Sequence, residues 1–202
     1  MGDDEDPRTG VDPVGVGLAT VSRRLLGTLA ALAVFALLLT WGWPWLANAV
    51  RLIRLVREEP PRVLPVPVEG VAPEELEDGW GAPRSGGRRH EGIDIFAPRG
   101  TPVVSTTRGV IVRKGWNRLG GWSVNVLGPG GQHHYYAHFD QLGSPEVGDW
   151  VEVGEILGFV GDTGNAKGTP THLHYGIYAW NGEAMDPYPL LAATGRGGPR
   201  SE

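Results

Sequence analysis

From residue 25 to residue 50 no side chain carries a charge, and 25–39 is almost wholly aliphatic. A helix of about 20 such residues, rising about 1.5 Å each, spans the ~30 Å hydrocarbon layer of a bilayer. Trp41, Trp43 and Trp45 follow, and such rings favour the membrane–water boundary. The pattern predicts one N-terminal transmembrane helix, 25–50. A cleaved signal peptide is the alternative, with Arg23 and Arg24 as its basic region, Pro44 as a helix breaker and Ala47-Asn48-Ala49 as a small-x-small cleavage site. Residues 1–24 read as a polar mobile arm, acidic at 3–6.

Residues 51–79 form a Pro-rich linker, with Glu58-Glu59-Pro60-Pro61 and Val63-Leu64-Pro65-Val66-Pro67 favouring extended polyproline-II backbone. Such a spacer of ~30 residues is a leash reaching at most ~90 Å. Residues 73–77 can form one helical turn, with Pro73 at its start. Across 80–191 the period changes. Short runs of Val, Ile and aromatics at 101–106, 109–114, 122–127, 133–138, 150–153, 156–160 and 172–179 alternate with Gly-containing turns. That spacing predicts an all-β domain with a mainly antiparallel sheet. Gly128-Pro129-Gly130-Gly131 reads as a hairpin turn. The stretch 192–202, rich in Gly and Arg, reads as a disordered tail.

Composition narrows the chemistry. The formal net charge of −5 argues against a nucleic-acid partner, which calls for a basic face. There is no cysteine, so disulfides, thiolate metal sites and a cysteine nucleophile are excluded. A metal site must use His and carboxylate. All six His lie between His90 and His174, which places the imidazole chemistry in the β domain. Arg51, Arg54, Arg57 and Arg62 follow the apolar span, so charge gives no clear vote on orientation.

Three segments can carry that chemistry. In His172-Leu173-His174 both imidazoles point to one side of a strand and Leu173 to the other. His90 and Asp94 are four residues apart, and on a flat strand ~13 Å apart. They converge only if the chain bends, which Gly92 permits. A zincin-like helix would also join them, but Gly92, Pro98 and Gly100 oppose one. His138 ends an aromatic strand and shares a face with Tyr136 and His134. Five candidates suffice for three metal ligands and two assisting imidazoles, the pattern of a catalytic rather than a closed structural site.

The order His90-x-x-x-Asp94, Tyr136-Ala137-His138, His172-Leu173-His174 resembles the M23 family, the LytM/lysostaphin-type zinc endopeptidases of bacterial cell wall. Ala97-Pro98-Arg99-Gly100-Thr101-Pro102-Val103, Gly148-Asp149-Trp150-Val151, Gly161-Asp162-Thr163-Gly164 and Asp186-Pro187 fit the same pattern. The resemblance covers about 80–190. It implies an antiparallel sheet crossed by a groove, with Zn2+ held by His90, Asp94 and His174. His138 and His172 would flank the reacting water and carbonyl, with His172 chosen as base and the two roles exchangeable. The implied substrate is peptidoglycan peptide and the implied place is outside the cytoplasm, on a bacterial cell membrane, single-pass, or secreted after cleavage. One departure is Gly176, where many members carry Glu after His-x-His and an aromatic residue. The bond cut and the oligomeric state stay open. Two alternatives are a non-catalytic LytM-type domain that binds and activates another wall hydrolase, and a lipoyl-like carrier module. The carrier lacks a suitably placed attachment Lys.

Overall fold

The computed structural model describes residues 14–196. The chain divides after Arg51 into two units. The first is helical: α1 (Val14–Leu37), a π-helical turn at Leu38–Gly42, and α2 (Trp43–Arg57), which runs on into the second unit. Of the expected arm 1–24, residues from Val14 on are helical, and 1–13 lie outside the described residues. The helix runs through Pro44 instead of breaking there. Proline removes one i→i−4 hydrogen bond, and the wider turn lies directly before it. Residues Arg23–Arg57 form one helix long and apolar enough to cross a membrane, with mean hydropathy 2.1 in its most apolar window.

The second unit is built on nine antiparallel strands: β1 (Ile93–Phe96), β2 (Pro102–Val104), β3 (Gly109–Asn117), β4 (Gly121–Leu127), β5 (His133–Leu142), β6 (Trp150–Val151), β7 (Ile156–Val160), β8 (His172–Tyr178) and β9 (Ala184–Met185). The main path is β1-β8-β5-β4-β3-β6, with β7 joining β2 to β5 and β9 lying on β8. The all-β antiparallel expectation holds. All seven expected runs are strands, the turn at 128–131 joins β4 to β5, and Pro73–Glu75 is a single 3-10 turn. A short helix, α3 (Tyr188–Ala192), closes the chain against the sheet through buried Leu191. The expected tail 192–202 is helical through Arg196, and the rest lies outside the described residues.

Alternation decides which face is core. Along β8, Leu173, Tyr175 and Ile177 are fully buried; the residues between them, His172, His174, Gly176 and Tyr178, take the opposite face. Ile93, Ile95, Ile111, Val124, Val126, Tyr136 and Phe139 complete the core layer. It contains one polar knot: the Thr106 hydroxyl meets both Tyr136 OH and Tyr175 OH at 2.9 Å, and His134 Nδ1 meets Tyr175 OH at 2.8 Å. Burial, with His133 adding, lowers His134 to about 3.

The Pro-rich segment is not a free leash. Leu64, Val68 and Leu76 are buried in the same core. Leu64 N–H donates to Leu190 O, Glu69 N–H to Pro102 O, and Pro67 O accepts from Val104 N–H. The apolar residues between the prolines have sheet surface to cover, and burying each is worth about 1.5–3 kcal/mol.

Candidate metal centre and its cleft

The site lies on the face of the sheet opposite the core. Register places it: Asp94 on β1 stands directly across from His174 on β8, and His174 across from Ala137 on β5. Ser123 and Gly115 continue this row across β4 and β3. The His and Asp side chains at one end of this row line a cleft of about 800 Å³.

Three donor atoms converge. His90 Nε2, Asp94 Oδ1 and His174 Nδ1 are separated by 3.0 Å (His90–Asp94), 3.1 Å (His174–Asp94) and 2.9 Å (His90–His174). Gly92 makes the approach possible. A Cβ there would lie 2.4 Å from Tyr175 O and 2.8 Å from His174 Cε1, so any larger residue forces His90 and β1 away from β8. The segment 90–94 is loop and strand, not helix, which removes the zincin-like geometry.

The donor set fits a small divalent ion. A tetrahedral shell with bonds of about 2.0–2.2 Å has edges of about 3.3–3.6 Å, and the three atoms sit a few tenths of an ångström inside that spacing. His90 Nδ1–H donates to Gly79 O at 2.9 Å, which leaves the Nε2 lone pair facing the other donors. A second hydrogen bond of this kind fixes tautomer and ring direction. Burial alone would raise Asp94, but its contacts with His174, His90 and Arg84 outweigh it and hold the carboxyl well below the usual carboxylate range. Burial lowers His174, against the pull of Asp94. A carboxylate and neutral imidazoles are the states that bind metal.

His172 and His138 complete the cleft. Their rings stand 5.0 Å apart, edge to face, and His138 is 5.9 Å from His174. His172 Nδ1–H donates to Pro170 O and His138 Nδ1–H to Thr163 O, both at 2.8 Å. A neutral ring so held leaves Nε2 as an acceptor. Burial, then His174 and His172, lower His138 to about 4.

The expectation that His138 shares a face with Tyr136 and His134 is corrected. Tyr136 and His134 point into the core, and His138 points into the cleft. The cause is a bulge: Phe139 pairs with Trp122 and Ala137 with Ser123, so His138 is an extra residue in β5. It is the one non-glycine with positive φ (69°) among the described residues. Its N–H donates to Gly120 O. One added residue reverses the side-chain phase of a strand. The turn Gly161-Asp162-Thr163-Gly164 supports it, because Thr163 also bonds Phe139 O and Trp122 N–H through its hydroxyl.

Gly176 also has a steric reason. A Cβ would lie 2.8 Å from Glu91 O, so the approach of the chain at 90–92 takes the room a glutamate would need. Several cleft residues had no local sequence signal. Arg84 binds Asp94 Oδ2 at 2.5 Å. Tyr135 packs edge-on to His174 and bonds Asn117 through its hydroxyl. Phe96 lies 5.4 Å from His172. The Tyr135 position follows from alternation with Ala137 once Tyr136 is assigned to the core.

Fold and donor set together define a class: antiparallel β domains with a His/Asp donor cluster in an open cleft. The sequence profile of peptidase family M23 matches residues 88–187, and the chain belongs to that family. It is 46% identical over 128 residues to an L-Ala–D-Glu endopeptidase of Bacillus subtilis (strain 168), covering 58% of this chain and 39% of the relative. To lysostaphin of Staphylococcus simulans it is 36% identical over 116 residues, covering 55% and 23%. The crystallised catalytic domain of that lysostaphin superposes with a TM-score of 0.53 at 33% identity, covering 59% of this chain and 94% of the domain. The chain thus spans less than half the length of these full-length relatives.

Proposed function

We propose that this chain is a zinc-dependent endopeptidase that hydrolyses peptide bonds of peptidoglycan, cross-links or stem peptides, from a membrane-anchored position outside the cytoplasm. The convergence of His90 Nε2, Asp94 Oδ1 and His174 Nδ1 within about 3 Å of one another, beside the imidazoles of His138 and His172, carries the reading. The wall substrate is suggested by the relatives named as an L-Ala–D-Glu endopeptidase and as lysostaphin. Zn2+ suits two imidazoles and one carboxylate, and when bound it polarises a carbonyl and brings the pKa of water toward ~7.

The chain's own residues supply the rest. His90, Asp94 and His174 would hold the ion, and Arg84 neutralises the outer oxygen of Asp94. Choosing His138 as the oxyanion partner requires it to carry a second proton, and burial opposes that. We therefore give the base role to His138 Nε2, which takes a proton from the attacking water and returns it to the leaving amine. In its protonated form His172 would donate from Nε2 to the developing oxyanion. The backbone carbonyls of Thr163 and Pro170 keep both rings aimed.

The test is digestion of purified sacculi by the full chain in detergent, as prepared, with chelator, and with zinc restored, reading released fragments by mass spectrometry. Zinc-dependent release of new peptide termini is expected. A folded, zinc-loaded chain that releases nothing overturns the reading. The anchor is tested by alkaline extraction of membranes: the full-length chain stays in the pellet, and a shortened soluble form would indicate cleavage.

A further inference from the structure

Charge is unevenly distributed around the cleft. Arg84, Arg88, Arg89 and Arg113 line it against two carboxylates, Glu91 and Asp94, in a chain whose net charge is −5. Arg84 is paired with Asp94. Arg88 bonds only Ser85, and Arg89 bonds the carbonyl of Gly81. Neither meets a carboxylate, and Arg113 has no ion pair, among the described residues. Unpaired guanidinium groups gathered at one cleft are an anion-recognition arrangement, since the planar fork matches a carboxylate in two hydrogen bonds.

Register fixes where Arg113 lies, and the stretch that carries Arg88 and Arg89 reaches the same row where Glu91 O approaches Gly176. Arg113 pairs with Asn125, Asn125 with Tyr135, and Tyr135 with Gly176. That row runs beside the one ending in His174, on its Tyr178 side. At the other end of β8 the lining is uncharged, with Thr169 and Pro170 leading into His172 and Asn165 and Ala166 beyond. Strand spacing of about 4.8 Å puts the Arg113 backbone about 14 Å across the sheet from Gly176. A guanidinium reaching back by about 6 Å meets a peptide group two or three residues from the reacting bond, since extended chain advances about 3.3 Å per residue.

We infer that this basic flank is a subsite for a free carboxylate of an acidic peptide. The cleft then sorts wall peptides by charge, taking those with a free carboxylate within about three residues of the reacting bond in preference to amidated or glycine-only ones. The inference rests on the peptidase reading for its substrate class, but it is a statement about binding and can be tested without turnover.

The probes are wall stem tetrapeptides with a free glutamyl carboxylate, the same peptides amidated at that carboxylate, and pentaglycine. Calorimetric titration into the full, zinc-stripped chain in detergent is expected to show the acidic form binding at least tenfold more tightly than the amide at low salt. The gap should shrink in 0.5 M salt. It should fall below threefold in Arg113→Gln, or in Arg88→Gln/Arg89→Gln, with affinity for the amide unchanged. Arg118→Gln, outside the cleft, should keep it. Melting curves of each variant exclude misfolding as the cause. Equal affinity for acid and amide, no measurable binding of the acid form, or a gap surviving both sets of substitutions overturns the subsite. Hydrolysis of the same probes by the zinc-loaded chain separates the two ideas. A binding gap without hydrolysis sinks the peptidase reading and leaves the subsite. Hydrolysis of acid and amide with equal kcat/KM and equal affinity sinks the subsite alone.

Discussion

Gly92→Ala adds one methyl group at the tightest point of the site. The new Cβ would sit 2.4 Å from Tyr175 O and 2.8 Å from His174 Cε1. Ordinary contact needs about 3.4 Å or more, so β1 must retreat from β8 by up to about 1 Å or the His174 ring must turn. Overpacking of this kind typically costs about 1–3 kcal/mol. In a unit of this size that lowers Tm by roughly 2–12 °C, at about 2–4 °C per kcal/mol. The donor triangle, with edges of 2.9–3.1 Å, cannot absorb such a shift unchanged. Zinc affinity is expected to fall by about 10–100-fold, the usual scale for disturbing the support of a ligand. Thermal unfolding with chelator present isolates the packing cost, and competition against a chromophoric chelator reads the affinity. Gly79→Ala is the control, because its nearest atom, His90 Nδ1, lies at 3.4 Å. If Gly92→Ala matches Gly79→Ala within 1 °C and within twofold in zinc affinity, the close-approach reasoning is wrong.

Other substitutions probe separate links. His174→Ala should lose bound zinc, whereas His138→Ala and His172→Ala should keep it and lose sacculus hydrolysis; metal analysis of the three decides. His138→Val should be about 1–2 kcal/mol less stable than His138→Asn, because Asn tolerates positive φ and a β-branched residue does not; denaturant midpoints compare them. Leu64→Ala should cost about 2–5 kcal/mol, as no exposed spacer residue would. His134 is lowered from 6.5 to about 3, so the unfolded chain binds its proton more readily between those values. The resulting stability is complete above pH 6.5 and is lost as pH falls through the window, up to a single-site limit of about 5 kcal/mol. Urea midpoints of wild type and His134→Gln should therefore converge on going from pH 7 to 5, and parallel lines would contradict the assignment.

Much of the candidate site was legible because it depends on strand alternation. His172, Leu173 and His174 declare their faces by period two, and the antiparallel class followed from seven short apolar runs. The candidate ligand set came through the family resemblance, not from spacing alone, because the convergence of His90 with Asp94 depends on a four-residue strand at 93–96 that local pattern did not single out. His138 was placed on the wrong face for a physical reason. A bulge depends on what the neighbouring chain offers, here Gly120 O and the turn at 161–164, and no local rule signals that. Arg84 reaches Asp94 across a loop and was invisible for the same reason. The docking of 58–79 is different, since Leu64, Val68 and Leu76 were in plain view among the prolines.

Among the described residues β1 is the outermost strand and joins the sheet only through β8. The donors come from the approach to β1, from β1 itself and from β8. An ion bound by all three would fasten the sheet's margin, because whatever binds the folded form alone resists its opening. A chain without metal would then offer the stretch before and through β1 to proteases more often than a loaded one. Proteolysis would become an inspection step, and metal supply would set how many copies survive as well as how many work.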